Sequence, residues 1–361
     1  MNYRRYVYCF YTLILIFVLS HFLIWKCFTE KLFTAKHGDG GDLARLGYLP
    51  NYKLTRKSHI DLPRRHISLK EYTGQHIDIL TVGDSFSNGG GSGKNGYYQD
   101  YIASINNMMV LNIGLFKQSE GFPPFLDPIQ TLLLLINSGA LERISPRTVI
   151  VSVSVKQAVM LMAKSIDFGI SAPVNTLWDE KKYEYYKALP TESHTRQFSF
   201  ISNGNFKYLY YLWCYKLFHK TNSMVVLANL NRKFFSVEGE TLLYYSGDIE
   251  KITGSRMESF EQINSNLNKL AEILAKKGIS LYFMPCVDKY DLYSPYILQN
   301  HHPRNDFFES FLVLSKKYTF IDTKEILSKM LLEGIIDVFY PDDSHWSWKA
   351  SQRIFETVRF R

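Results

Sequence analysis

Short apolar runs alternate with helix-like segments from residue 77 to the end of the chain, and this alternation constrains the fold more than any other feature. The apolar runs predict strands over residues 77–82, 109–113, 148–153, 280–284 and 319–321. The helix-like segments cover residues 127–137, 260–277, 307–317 and 348–360. Short strands that alternate with helices form a parallel sheet with helices on both faces. The sequence therefore predicts a layered α/β domain.

Two parts of the chain do not follow this alternation. Residues 31–75 are polar and basic and contain glycine and proline breakers, so we interpret them as a stalk that leads into the domain. Residues 157–254 contain aromatic runs such as the one at 208–213, which indicates an insertion packed on the core or over the site. The predicted organisation is a membrane anchor at 1–30, the stalk, and a domain at 76–361 that contains the insertion.

The amino-terminal segment has the composition of a membrane-spanning helix. Residues 6–25 carry no charge, and Ser20 and His21 are the strongly polar interruptions. This length matches the roughly 20 residues that cross a hydrocarbon core of about 30 Å. Arg4 and Arg5 precede the stretch and would keep the amino end in the cytoplasm. Because no small-residue cleavage site follows, we expect a retained single-pass anchor in the cytoplasmic (inner) membrane, with the domain on the periplasmic or extracytoplasmic side.

The first predicted strand stops at Gly83-Asp84-Ser85 and enters a loop rich in glycine, serine and asparagine. A residue that follows a strand of a parallel sheet lies at the carboxyl edge, where open α/β sheets build their sites. Ser85 is therefore placed to act as a nucleophile, provided that a base lies within reach.

The other end of the chain offers that base. His345 follows Asp342 and Asp343 just before the last predicted helix, and a histidine oriented by a carboxylate is the arrangement that activates a serine hydroxyl. Adjacent residues project in different directions. We therefore expect one aspartate to face His345 and the other to point to solvent or cap the last helix. The three side chains could instead bind a metal, but no second cluster at ligand spacing accompanies them, so we predict no metal site.

Backbone N–H groups of Ser85 and Gly114 are candidates for an oxyanion hole. Gly114 ends the second predicted strand, and a glycine there can offer its N–H without steric conflict. The glycine-rich stretch at 89–95 is not a phosphate-binding loop, because that pattern needs a glycine in place of Asn88 and a serine or threonine in place of Asn95. We interpret it as a rim beside Ser85. The net charge of +8 comes without a nucleic-acid-binding motif, so we predict no nucleic-acid partner.

Three blocks resemble those of the SGNH/GDSL hydrolase superfamily: Gly83-Asp84-Ser85, Asn112-Ile113-Gly114 and Asp342-x-x-His345. The stretch Asp343-Ser344-His345-Trp346-Ser347 is similar to the Asp-x-His-Trp version found in membrane-anchored O-acetyltransferases of cell-envelope polysaccharides, including those that act on alginate. A segment at 285–293 is similar to a Pro…Lys…Tyr segment of those proteins. The resemblance implies a flavodoxin-like three-layer α/β/α domain and Ser-His-Asp ester chemistry without a cofactor.

One departure concerns the third donor of the oxyanion hole. The superfamily supplies an asparagine side chain after its third strand, but this chain reads Ser152-Val153-Ser154-Val155-Lys156-Gln157 there. Gln157 or Ser154 could donate the hydrogen bond instead. A catalytically inactive member that binds polysaccharide or serves in assembly is therefore one alternative.

The resemblance implies that Ser85 attacks an ester carbonyl, that His345 moves the proton, and that Asp343 or Asp342 orients His345. The expected reaction is transfer of an acyl group, above all acetyl, to an envelope polysaccharide, or its removal. Transfer needs an acyl donor, for which a multispanning membrane acyltransferase is the expected partner. A general carboxylesterase of the same type, with water as acceptor, is the other alternative.

Overall fold

The computed structural model describes residues 3–29, 41–49, 60–91, 95–116, 127–171, 201–252 and 256–360. The strands are β1 (Ile67–Ser68), β2 (Ile79–Gly83), β3 (Val110–Gly114), β4 (Thr148–Ser154), β5 (Val225–Asn229), β6 (Thr241–Tyr245), β7 (Ser280–Cys286) and β8 (Thr319–Phe320). The helices are α1 (Tyr3–Ile24), α2 (Asp42–Gly47), α3 (Tyr98–Ile105), α4 (Pro128–Asn137), α5 (Ala140–Ile144), α6 (Val155–Met162), α7 (Asn203–Phe218), α8 (Ser246–Ile252), α9 (Met257–Ala275), α10 (Lys289–Tyr293), α11 (Phe307–Leu312), α12 (Thr323–Leu332) and α13 (Trp348–Thr357).

Six strands form one parallel sheet in the order β1-β3-β2-β4-β7-β8. Counted from β2, the sheet has the 2-1-3-4-5 order of flavodoxin-like folds. Helices α3, α12 and α13 pack together on one face, while α4, α6, α9 and α11 form a second group on the other. The predicted α/β fold with a parallel sheet is confirmed.

The five predicted strands are present, and their ends differ from the prediction by no more than two residues. Every residue of β2 and β4 is buried. A strand that is covered on both faces has a continuous run of apolar residues, so the sequence reveals its position. The predicted helices at 307–317 and 348–360 are shorter, ending at Leu312 and Thr357.

The predicted stalk and insertion contribute structure to the domain. Strand β1, from the predicted stalk, pairs with β3 at the edge of the sheet. The insertion forms α7 and an antiparallel pair, β5 and β6, and packs on the main core through side chains such as Phe234 and Phe235. Helix α2 packs on this pair, in a cluster that includes Leu43, Val225 and Leu243. Residues 172–200 of the predicted insertion lie outside the described residues.

The amino-terminal helix α1 continues as one π-helical segment, Trp25–Thr29. The apolar stretch Tyr3–Cys27 spans 25 residues and is almost entirely exposed on the protein. At 1.5 Å per residue it is about 38 Å long, enough to cross a hydrocarbon core of about 30 Å. The chain therefore has one amino-terminal helix long and apolar enough to span a membrane.

Candidate functional site

Ser85 lies just beyond the carboxyl end of β2, in a turn that Asp84 fixes. The buried carboxylate of Asp84 accepts hydrogen bonds from the backbone N–H groups of Ser154 at 2.9 Å and Phe86 at 3.1 Å. Burial raises the pKa of Asp84, although these hydrogen bonds and the nearby His345 oppose the shift. Because Ser154 ends β4, Asp84 ties the turn that carries Ser85 to the neighbouring strand.

The backbone after Ser85 is held from the adjacent elements. The carbonyl oxygen of Ser87 accepts hydrogen bonds from the side-chain amides of Asn112 at 2.8 Å and Gln99 at 2.9 Å. The carbonyl oxygen of Ser85 accepts from the N–H of Gly90 at 2.8 Å. Asn112, part of the second sequence block, thus supports the turn from strand β3.

The structure brings Ser85 and His345 together although they are 260 residues apart. The hydroxyl oxygen of Ser85 lies 2.8 Å from Nε2 of His345. On the other side of the ring, Nδ1 lies 2.7 Å from Oδ1 of Asp343, which also accepts the backbone N–H of His345 at 3.0 Å. These contacts form a continuous serine–histidine–aspartate chain.

Asp343, and not Asp342, contacts the imidazole. Our expectation that the second aspartate points to solvent or caps the last helix is wrong. Asp342 is fully buried and accepts a hydrogen bond from the backbone N–H of Gly41 at 2.8 Å. The amino end of α13 is capped instead by Ser347, whose hydroxyl accepts from the N–H of Lys349. A segment remote in sequence fixes Asp342, so its local position could not reveal its partner.

The same remote segment brings a further carboxylate, that of Asp42, close to His345, which the sequence did not lead us to predict. Oδ2 of Asp42 lies 3.9 Å from Nδ1 of His345. The Asp42 carboxylate accepts hydrogen bonds from the backbone N–H, at 2.7 Å, and the hydroxyl of Ser344. In return, the N–H of Asp42 donates to Asp343 at 3.2 Å. A Cβ atom at Gly41 would lie 1.9 Å from the carbonyl oxygen of Asp342, so only glycine fits there.

Three carboxylates set the protonation of His345. Burial alone would lower the pKa of His345, but the hydrogen bond and charge of Asp343, together with the charges of Asp42 and Asp84, raise it above its ordinary value. Burial and the neighbouring charge of Asp343 raise the pKa of Asp42. The polar atoms of Asp42, Asp343 and His345 lie within 4.8 Å of one another. Because they are already engaged with each other and with Ser344, we assign no ion to them.

Lys289 supports the loop that carries Asp343 and His345. Its buried ammonium donates hydrogen bonds to the carbonyl oxygens of Tyr340 at 2.7 Å, Pro341 at 2.8 Å and Asp343 at 3.0 Å. Three carbonyls converge on one positive charge, so their dipoles stabilise it away from water. The sequence drew attention to the segment that contains Lys289 but did not indicate this role.

The glycine-rich loop gives the imidazole its space. A Cβ atom at Gly90 would lie 2.2 Å from Cδ2 and 2.5 Å from Nε2 of His345. The ring of Phe86 packs against His345 and Trp346, each with a centroid distance of 4.7 Å. Residues 92–94 of the predicted rim lie outside the described residues.

The oxyanion candidates are at the same sheet edge. Gly114 is the register partner of Gly83, so the end of β3 lies beside the turn that carries Ser85. Gln157 lies in the first turn of α6, and within the described contacts it makes no hydrogen bond to Ser85 or His345. Its Oε1 atom is buried and has no hydrogen-bond partner among the described residues. Ser154 uses its N–H for Asp84 and accepts the N–H of Gln157 at 3.4 Å.

Comparisons with known proteins add little. No protein-family model matches the chain, and no curated protein matches it. Among solved structures, the chain is similar to the lipase Lip_vut3 from a goat rumen metagenome, with 11% sequence identity and a TM-score of 0.35. The similarity covers 78% of this chain and 94% of the lipase. A likeness at this level says nothing about the reaction of this chain.

Proposed function

We propose that this protein is a membrane-anchored serine enzyme that transfers an acyl group, above all acetyl, to a cell-envelope polysaccharide or removes it. The observation that carries the proposal is the hydrogen-bonded chain from Ser85 through His345 to Asp343 at the carboxyl edge of the sheet. Serine, histidine and aspartate in this order are the groups that acyl transfer needs.

The proposed reaction has two halves. Nε2 of His345 takes the hydroxyl proton of Ser85 while Oγ attacks the ester carbonyl, and the resulting imidazolium gives that proton to the leaving alcohol. This leaves an acyl ester on Ser85. In the second half, His345 takes a proton from a sugar hydroxyl or from water, the acceptor oxygen attacks the acyl carbon, and the proton returns to Ser85.

Asp343 has the position of the orienting carboxylate. Its hydrogen bond to Nδ1 holds the tautomer that leaves Nε2 free to accept a proton, and its charge stabilises the imidazolium that forms. The same charge helps to raise the pKa of His345, so the ring gains basicity where it faces Ser85.

We assign the oxyanion to the backbone N–H groups of Ser85 and Gly114, with the Gln157 side chain as the third donor. The pairing of Gly83 with Gly114 supports the first two, because Gly114 ends β3 beside the turn that leads from Gly83 to Ser85. The half-buried side chain of Gln157 lies at the start of the helix that follows β4, the neighbouring strand on the other side. Loss of one such donor typically costs about 10²–10³ in rate.

The choice of polysaccharide as acceptor rests on two features. One is the resemblance of the stretch from Asp343 to Ser347 to membrane-anchored O-acetyltransferases. The other is the amino-terminal helix, which would hold the domain on the periplasmic side of the inner membrane. The acyl donor for transfer would be a multispanning membrane protein.

A serine substitution in the full-length protein tests the chemistry. In detergent, the protein should release nitrophenol from nitrophenyl acetate, and Ser85→Ala should lower kcat by roughly 10³-fold or more. Ser315→Ala makes the same change at an exposed serine and should have no effect. Equal activity of Ser85→Ala and the unmodified protein would refute the proposed nucleophile.

The acceptor is tested in the same assay. Oligosaccharide fragments, alginate fragments among them, are added, and mass spectrometry is used to detect acetylated sugar. Ser85-dependent acetylation of the sugar supports transfer. Ser85-dependent release of acetate alone, with acetylated polysaccharide or a simple ester, assigns an esterase instead.

A further inference from the structure

Helix α7, in the insertion, exposes an aromatic face that the proposed reaction does not use. Phe206, Tyr210, Trp213 and Leu217 are between 43% and 64% exposed on the described part of the protein. Their spacing of four, three and four residues places them on one face of the helix. Water is a poor environment for a contiguous face of this kind, which marks it as an interaction surface.

The same helix contacts the end of the membrane anchor. Nδ2 of Asn205 lies 3.2 Å from Nδ1 of His21, and the Phe206 ring packs on the His21 ring with a centroid distance of 4.6 Å. The hydroxyl of Thr29 donates to Oδ1 of Asn205. These contacts account for the one histidine of the amino-terminal stretch, because a polar group within a bilayer needs a partner.

The depth of these contacts in the bilayer matches the depth at which a helix lies on a membrane surface. His21 precedes Cys27, the end of the apolar stretch, by six residues, which is about 9 Å along a helix. Helices that lie in the membrane interface bury their apolar face about 5–10 Å into the boundary between headgroups and acyl chains. Phe206, packed on His21, therefore lies at the depth expected for such a face.

The composition of α7 also suits lipid. Tyrosine and tryptophan are enriched where membrane meets water, because their rings are apolar and their tips are polar. Helix α7 has no acidic residue, and Lys216 is exposed near its carboxyl end. A basic side chain there is attracted to anionic lipid headgroups.

We propose that α7 lies on the lipid surface beside α1, with Phe206, Tyr210, Trp213 and Leu217 among the headgroups and upper acyl chains. The proposal rests on α1 crossing the bilayer and not on the proposed reaction. Helix α7 is tied to the domain through the buried Tyr215, which packs with Leu43 and Val225. The domain is therefore held against the membrane by two helices, and its active site has a fixed orientation towards the bilayer.

Fluorescent labels on the full chain test this contact. In a variant in which alanine replaces Cys9, Cys27 and Cys214, the remaining Cys286 is fully buried. One accessible cysteine is introduced at Tyr210 or Trp213 and labelled with an environment-sensitive dye. Val313 and Leu332, which are 79% and 70% exposed, serve as matched control positions. Each protein is reconstituted into vesicles of phosphatidylethanolamine and phosphatidylglycerol that contain nitroxide-labelled lipid.

We expect the labels at 210 and 213 to emit at shorter wavelength than the control labels. The lipid nitroxide should lower their emission roughly twofold or more, as fits a depth of about 5–10 Å. The labels at 313 and 332 should be quenched by iodide in water and not by the lipid. Labels at 210 and 213 that behave like the controls overturn the proposal. Labels shielded from both quenchers also overturn it and identify a protein cover.

Discussion

Replacement of Asp42 by asparagine should shift the pH dependence of the proposed reaction to lower pH. Oδ2 of Asp42 lies 3.9 Å from Nδ1 of His345. A carboxylate at this distance stabilises the protonated ring, so its removal lowers the pKa of His345. The general base must be neutral to accept a proton. The acidic limb of kcat/KM therefore moves down in pH.

The size of the shift follows from the distance and the exposure. Two unit charges about 4 Å apart interact by about 4 kcal/mol at an effective dielectric constant of about 20 and by about 1 kcal/mol in bulk water. The Asp42 side chain is 28% exposed, so we expect an interaction energy near the lower of these two values. Loss of about 1.4 kcal/mol would lower the pKa of His345, and with it the acidic limb, by one pH unit.

The assay is nitrophenyl acetate hydrolysis by the full-length protein, with kcat/KM measured over the acidic and neutral range. The new asparagine keeps an oxygen that can accept the N–H of Ser344, so the loop should stay folded. Asp306→Asn removes an exposed carboxylate by the same change and should leave the profile in place. An unshifted limb with lower kcat would show that Asp42 acts on loop structure alone, and a shift to higher pH would refute the electrostatic reasoning.

Three further predictions concern the site and its placement. Asp343→Asn should lower kcat by about 10⁴-fold because the required tautomer of His345 is lost. Asp342→Asn should lower kcat by less than about tenfold, because the new amide oxygen can still accept the N–H of Gly41. Equal small losses of kcat in the two variants would contradict this assignment. Lys289→Met removes a buried donor from three carbonyl oxygens, of which that of Tyr340 keeps the N–H of Asp343 at 3.3 Å. It should destabilise the fold by about 2–3 kcal/mol, seen as a lower Tm in thermal unfolding followed by circular dichroism. An unchanged Tm would refute that role. Alkaline phosphatase fused to the carboxyl terminus should be active, whereas fluorescence from a cytoplasm-only reporter there would exclude an extracytoplasmic domain.

The sequence predicted the sheet well because its strands are buried on both faces. Their apolar runs are visible without knowledge of the partners, and the positions of Ser85 and Gly114 follow directly from the strand ends. Strand β1 has only two residues and lies at the edge, so no run marks it. Local sequence patterns therefore predict a strand that is fully buried, but they do not predict one that is short and half-buried.

The immediate surroundings of His345 could be predicted only in part. The rule that neighbouring residues project differently correctly separated Asp342 from Asp343, but it could not tell which one faces the ring. Asp342 is buried because Gly41 reaches it from 301 positions away in the chain. The signal available for Asp42 was an aspartate directly before the short apolar run Leu43-Ala44. Such a pattern is common at helix starts and carries no chemical information.

The hydrogen bonds between residues 41–44 and residues 342–344 bear on the order in which the Ser85–His345–Asp343 chain can assemble. Gly41, Asp42 and Ala44 make five of them to Asp342, Asp343 and Ser344. Closing a free loop of about 300 residues costs roughly 5 kcal/mol of chain entropy, so this contact forms after the sheet has brought its ends together. During synthesis, His345 emerges 260 residues after Ser85. The nascent chain therefore carries Ser85 without its base until residues 342–345 have been made, and the proposed ester chemistry has to wait for their contact with the sheet.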